Sequence, residues 1–305
     1  MKSVYIKPVG GLANRIRVIE SGLNLCVKIK AELIVLWELN DNLNARFDHL
    51  FEPDSRFTVI HLNPGLNFGR SGLLRYFPDK KPSGWRQIVY ALSKKIARIR
   101  GEIWYDDLHE IFKDLHPIYH PDSGLNQTGI AIKAQSKIDK LLTPHLNKGE
   151  TFYLSSSWKI SLNNETQLKL KPIPRLHSRI DSVEIDKENT VGFHIRRTDH
   201  EWSKSHSGIE KFKAAMQLEI SANEQVKFFV ATDSPEVLTE LKEAFAGRIS
   251  HVVHQTMNRN LSEGIDSAII DLYCLARCSK IYGSYLSTFS ELAGQIGDIE
   301  VHEAK

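Results

Sequence analysis

Thr190-Val-Gly-Phe-His-Ile-Arg-Arg-Thr-Asp199 decides how this chain is read. Its first half is apolar and β-branched apart from His194, which predicts a buried strand over 190–195. That strand delivers two arginines and an aspartate to its C-terminal end. Side chains alternate along a strand, so His194 and Arg196 share one face and Arg197 takes the other. Outward from it, strand and helix alternate with short connections. Residues 208–221 have helical periodicity, and 225–231 form a strand ending at Thr232-Asp233. Ser234-Pro235 opens a helix that stops at Gly247, since Ser is a good N-cap and Pro fits the first turn. A strand over 248–253, a helix over 264–279, a short strand over 280–284 and a helix over 288–296 follow. This alternation predicts a parallel sheet with helices on both faces.

The N-terminal half begins in the same way. Residues 4–9 read as a strand, Gly10-Gly11 as a turn, 12–30 as a helix, and 32–37 and 57–62 as further strands. The stretch 64–150 is irregular and mostly helical, and 151–155 returns as a strand. The two prolines of Lys171-Pro-Ile-Pro174 oppose both helix and central strand and read as a break. Two α/β domains, 1–178 and 179–305, are expected, with a ligand cleft between them at the strand C-termini.

Composition narrows the classes. The chain has 305 residues, 41% hydrophobic and 25% charged, the balance of a globular protein rather than of a disordered, collagenous or coiled-coil one. Only 3 cysteines exclude a disulfide scaffold. No signal-peptide core and no stretch of about 18 apolar residues is present, so a cytoplasmic location is expected. A net charge of +3 is too small to argue for a nucleic-acid partner. That charge is uneven: residues 70–100 hold nine basic residues against the single acid Asp79. Within them Trp85, Ile88, Val89, Leu92, Ile96 and Ile99 recur at helical spacing, predicting a basic amphipathic helix over 85–99. Its apolar stripe either packs on the core or meets a surface such as anionic lipid.

Four constellations carry candidate chemistry. Arg196 and Arg197 offer guanidinium groups that bind phosphate oxygens bidentately, or they form a structural ion-pair cluster. Asp233 suits the ring N–H and exocyclic amine of a guanine edge, or else it caps the next helix. Ser284-Tyr-Leu-Ser-Thr-Phe-Ser290 presents more hydroxyls to a helix N-terminus than capping needs, which suits an anion. Gly10-Gly11-Leu-Ala-Asn14-Arg15 lets backbone approach a ligand, with Gly11 and Asn14 as donor-binding candidates. It matches neither a Walker loop nor Gly-x-Gly-x-x-Gly. No Asp-x-Asp pair appears, so no metal is expected. Cys274 and Cys278, with His251 and His254 upstream, read as core cysteines rather than a zinc site.

Taken together in this order, the four pieces resemble the GDP-fucose-dependent fucosyltransferase superfamily, which includes the α1,6-, α1,2-, nodulation-factor and protein O-fucosyltransferases. His194-Ile-Arg-Arg-Thr-Asp199 is similar to the α1,6 enzymes' His-Val-Arg-Arg-Thr-Asp, and Phe229-Val-Ala-Thr-Asp233 and Thr288-Phe-Ser290 match that branch. Gly10-Gly11-Leu-Ala-Asn14 is closer to the α1,2 branch. The match is good over 190–297 and thin over 20–180. The resemblance implies a GT-B-like architecture of two Rossmann-like domains facing a cleft, an acceptor-side domain followed by a GDP-sugar domain. It implies that Arg196 binds diphosphate, that His194 and Asp233 hold guanosine, and that Thr288 and Ser290 contact phosphate. It also implies inverting, metal-free transfer of fucose to a glycan hydroxyl, with a bacterial surface-glycan precursor as the fitting acceptor. Glu201 is the first candidate base, with Asp199 and His200 open, because the segment between Asp199 and Gly208 is shorter than in the α1,6 branch. Transfer of another GDP-sugar, or nucleotide binding without catalysis, are the alternatives.

Overall fold

The computed structural model describes residues 2–62, 67–68, 74–113, 115, 127–161, 167–197, 206–254, 256 and 261–304. The chain divides into two compact units, Met1–Lys171 and Pro172–Lys305.

The first unit is built on a five-stranded parallel sheet. Its elements are β1 (Ser3–Pro8), α1 (Leu12–Ile29), β2 (Glu32–Glu38), β3 (Phe57–Leu62), a small antiparallel pair β4 (Asn67–Phe68) and β5 (Leu74–Arg75), α2 (Trp85–Ile96), β6 (Gly101–Ile103), α3 (Tyr105–Lys113), α4 (Gln127–Asn147) and β7 (Phe152–Ser156). The strand order is β3-β2-β1-β7-β6. Val4, Ile6, Leu33, Val35, Leu36 and Trp37 are buried, as expected for central strands covered on both faces. Helix α1 ends where Lys30 turns left-handed (φ 52°) and its amide bonds the Cys26 and Val27 carbonyls.

The second unit repeats the plan with α5 (Pro174–Asp181), β8 (Thr190–Ile195), α6 (Ile209–Ala222), β9 (Lys227–Thr232), α7 (Pro235–Ala244), β10 (Ile249–Ser250), α8 (Ser262–Leu275), β11 (Ile281–Gly283), α9 (Thr288–Gly297) and β12 (Val301–Glu303). All its pairings are parallel, in the order β10-β9-β8-β11-β12. This is the doubly wound order: the chain moves outward from β8 to β10, then returns to the other side of β8. Val191, Phe193 and Ile195 pack into one core with Phe212, Met216, Val237 and Leu241. Gly192 and His194 take the opposite face, as strand alternation demands. A Cβ at Gly192 would lie 3.0 Å from Leu275, so the missing side chain lets α8 settle close to the sheet.

Both Rossmann-like units are as the sequence predicts, with local differences. The first unit ends at Lys171 rather than at 178, because α5 packs against α8 of the second unit. Pro174 does not break a helix but begins one, at a position where its missing N–H costs nothing. Strand β6 lies inside the stretch read as mostly helical, and β12 adds an edge strand beyond the last predicted helix. Both are three residues long, too short for periodicity to register. The strand expected over 248–253 shortens to Ile249–Ser250 at the sheet edge. No helix among the described residues is long and apolar enough to cross a membrane.

All three cysteines are free and buried, and burial pushes the Cys26, Cys274 and Cys278 thiols up to about 12. His254 is engaged with Asp271 (Nε2 to Oδ2 2.9 Å). Among the described residues no group of three or more His, Cys, Asp or Glu is placed to hold a metal ion.

Candidate nucleotide site

In a doubly wound sheet the ligand crevice opens outside the strand C-termini where the winding direction reverses. In the second unit that point lies between β8 and β11, and Gly283 pairs directly with His194 there. Two of the four sequence constellations meet at this point. Ser284 extends the ladder past its end: its amide donates to the His194 carbonyl (3.0 Å), and its Oγ accepts from the Arg196 amide (2.9 Å). The backbone of Arg196 is thereby held at the strand tip, on the His194 side.

His194 is itself fixed. Its Nδ1 lies 2.8 Å from the Ser290 Oγ and 3.1 Å from the Ser287 Oγ, and its ring sits 4.7 Å from that of Phe289. Ser287 is the N-cap of α9, accepting from the Ser290 amide. Thr288 and Phe289 are half-buried at this helix start, whereas Ser290 is only 2% exposed. Thr288 is therefore the hydroxyl offered outward, and Ser290 supports the histidine from beneath. The loop is held by an unusual backbone: Leu286 has φ 55°, and its amide reaches the Glu303 carboxylate at 3.3 Å.

Close approach of β11 to α9 depends on Gly283. A Cβ there would sit 2.3 Å from the Ser290 Oγ and 2.6 Å from its Cβ, and a serine side chain is too short to swing clear. Gly283→Ala is expected to push the start of α9 away, loosen His194, and cost about 1–3 kcal/mol of stability as overpacking does. Urea unfolding together with nucleotide titration checks this. An unchanged midpoint with unchanged binding would show that the contact is not tight.

On the other face of the sheet, Arg197 donates from Nη1 to the Ser207 carbonyl (3.2 Å), just ahead of α6. Its amide donates to the Asp233 Oδ1 at 2.6 Å. Asp233 thus ties the end of β9 to the end of β8. The capping alternative falls to its neighbour, since Ser234 accepts from the Val237 amide (3.3 Å). Thr198, Asp199, His200 and Glu201, and with them every candidate base, lie outside the described residues.

The first unit has its own reversal point, between β1 and β7, and Gly10-Gly11 follows β1 there. Gly10 has φ 92°, a conformation glycine adopts freely. Gly11 leads into α1, with open space where a Cβ would be. Asn14 lies on the first turn of that helix, its Oδ1 buried without a hydrogen-bond partner among the described residues.

Sequence reading missed what holds this turn. Arg15 is completely buried, donating to the Gly10 carbonyl (2.8 Å), the Glu38 carbonyl and the Asn40 Oδ1 (2.8 Å), with its guanidinium 5.0 Å from the Trp37 ring. Burial lowers its pKa to about 10, so it stays charged at neutral pH. Lys7 is 3% exposed and pairs with Glu38 (2.9 Å) and Asp79 (2.8 Å). The available signal was a lysine inside an apolar strand and an arginine just after the Gly-Gly turn, and it names no partner.

Neither a known protein-family model nor a curated protein matches the sequence. By fold the chain belongs with proteins built of two Rossmann-like α/β units. Among solved structures it is similar to the α1,6-fucosyltransferase NodZ co-crystallized with GDP, at 15% identity over 96% of this chain and 91% of that one, TM-score 0.55. The NodZ crystal soaked with GDP-fucose gives 15% identity, 97% and 92% coverage and a TM-score of 0.55. A structure of NodZ from Bradyrhizobium gives 15% identity, 96% and 91% coverage and a TM-score of 0.54. POFUT1 in complex with GDP-fucose gives 13% identity, 99% and 98% coverage and a TM-score of 0.54. The likeness spans both units.

Proposed function

We propose that this protein is a glycosyltransferase moving fucose from GDP-fucose to a glycan hydroxyl, with inversion and without a metal ion. The observation that carries the reading is the convergence of His194, Arg196, Ser284 and Thr288 on the β8/β11 reversal point. The fold it shares with NodZ and POFUT1, solved with GDP or GDP-fucose, supports it further. In this reading Arg196 meets the diphosphate, Thr288 and the first amides of α9 meet a phosphate oxygen, and His194 and Asp233 hold guanosine. Arg197, whose bonds tie β8 to β9 and to the start of α6, positions that strand tip. The first unit is the acceptor-side domain in this reading, and its Gly11–Asn14 turn supplies a further contact to the donor.

The chemistry follows from charge. An acceptor oxygen attacks the anomeric carbon from the face opposite the diphosphate, the carbon–oxygen bond to the β-phosphate breaks, and GDP departs with that electron pair. Arg196 stabilises the charge that grows on the departing oxygens more than it stabilises the bound donor, which is the condition for catalysis. The acceptor proton passes to a base, with Glu201 the first candidate and Asp199 and His200 the others. The acceptor we propose is a bacterial surface-glycan precursor met on the cytoplasmic side.

A thermal-shift panel of GDP, UDP, ADP and dTDP with their sugars tests donor class, and product analysis with GDP-fucose tests transfer. GDP and GDP-fucose are expected to stabilise the protein most. Asp233→Ala is expected to erode the preference for GDP over ADP, because adenine offers a carboxylate no matching pair of donors. Equal stabilisation by ADP and GDP in the wild type would sink the guanosine assignment. Stronger stabilisation by GDP-mannose would transfer the proposal to another GDP-sugar, and binding without product would make the protein a nucleotide binder. Activity is expected to survive EDTA.

A further inference from the structure

Helix α2 of the first unit settles a question the sequence left open. The helix ends at Ile96 rather than at 99, and of the expected stripe Ile99 is buried in the core beyond it and Val89 is half-buried, but the rest stays out: Trp85 is 59% exposed, Ile88 67%, Leu92 51% and Ile96 48%. These residues fall at i, i+3, i+7 and i+11, so they form one continuous ridge on one side of the helix. Core contact is made by the other side, where Tyr90 and Ser93 are buried and Tyr90 packs with Phe77 and Trp104. The helix is therefore seated without using its most apolar face. Ridges of this kind on soluble domains mark interaction surfaces.

Charge selects the partner. Lys81, Arg86, Lys95, Arg98 and Arg100 are exposed, and none has an ion pair among the described residues. Lys94 does not belong with them, because it is half-buried and bonded to Glu102. An apolar ridge led by a tryptophan and bordered by unneutralised cations fits a surface that is oily beneath and anionic on top. We infer that the exposed face of α2 seats this protein on the surface of an anionic lipid bilayer. Trp85, Ile88, Leu92 and Ile96 enter the headgroup boundary, and Lys81, Lys95, Arg98 and Arg100 meet lipid phosphates. A helix of twelve residues with this pattern lies in the interface and does not span it. The inference rests on the first unit alone and not on the nucleotide reading.

Co-sedimentation of the full chain with vesicles of phosphatidylglycerol and phosphatidylcholine tests it, against phosphatidylcholine alone and with rising salt. Binding is expected to anionic vesicles at low salt, weakening as salt screens the surface charge. The triple change Ile88→Ser, Leu92→Ser, Ile96→Ser should lower partition roughly tenfold or more, as loss of buried apolar area requires. Lys95→Glu with Arg98→Glu should do likewise by losing lipid attraction. Since every altered side chain is exposed, the variants are expected to fold, and a thermal unfolding midpoint unchanged from the wild type verifies that. Wild-type protein left in the supernatant would overturn the inference, as would a triple variant that binds equally well. A wild-type dimer in sedimentation equilibrium that the triple variant abolishes would assign the ridge to a second copy of the chain and overturn it too.

Discussion

Arg196→Ala is expected to lower turnover with GDP-fucose by about 10²–10³ and to weaken GDP binding sharply, leaving the fold intact. The magnitude is that of losing one charge-stabilising donor from a transition state, about 3–4 kcal/mol. The fold should survive because what fixes this position is the backbone: the Arg196 amide bonds the Ser284 Oγ, and alanine retains that amide. Arg196→Lys should recover only part of the loss, since an ammonium is a point charge and cannot grip two phosphate oxygens in a plane. Arg197→Ala provides the internal comparison. It removes the bond to the Ser207 carbonyl but keeps the amide bond to Asp233, so its effect on GDP affinity should be smaller. Steady-state kinetics with calorimetric GDP titration measure both. Near-normal turnover in Arg196→Ala removes this residue from the mechanism, and a larger binding loss in Arg197→Ala reverses the assignment of faces.

Arg15→Ala is expected to have the largest effect on stability, about 3–5 kcal/mol. Each buried acceptor left without its donor costs about 1–3 kcal/mol, and three are left here. Three acceptors lose their donor together: the Gly10 and Glu38 carbonyls and the Asn40 side chain. Water has no ready route to replace it, because Arg15 is 0% exposed. Arg15→Lys should rescue little, since one ammonium cannot reach acceptors that a planar guanidinium serves from separate edges. Urea unfolding measures the loss. A midpoint close to the wild type in both variants would show that the network relaxes or hydrates at little cost. The Gly10 turn should loosen in parallel, because Arg15 is bonded to it.

The strand over 190–195, its alternation of faces and the Ser234-Pro235 helix start were legible in the sequence because each rests on local chemistry. A period of two sends His194 and Gly192 one way and Phe193 and Ile195 the other, whatever packs against them. The doubly wound plan was legible for a similar reason, since short connections between strand and helix leave few topologies. Of the candidate site, the residue types and their positions at strand ends could be read, but not their partners. His194 finds Ser290 across 96 residues of sequence, and the Arg196 amide finds Ser284 across 88. Such pairings are decided by which strands become neighbours, and no local signal encodes that. The roles of Asp233 and Ser234 separated only in three dimensions, because either side chain could have capped α7.

The basic helix shows most directly what sequence determines and what tertiary structure decides. Periodicity predicted an amphipathic helix over 85–99 with one apolar stripe, because that follows from 3.6 residues per turn, and the helix forms over Trp85–Ile96. It did not establish what covers the stripe. The structure seats the helix through Tyr90 and Ser93 and leaves Trp85, Ile88, Leu92 and Ile96 in solvent. For Arg15 the outcome is opposite: a charged residue is enclosed, because three acceptors converge on it from the Gly10 turn, the end of β2 and Asn40. A residue's chemistry belongs to the sequence. Whether water, a protein core or a partner satisfies that chemistry depends on distant segments brought together by folding, and only the tertiary structure decides it.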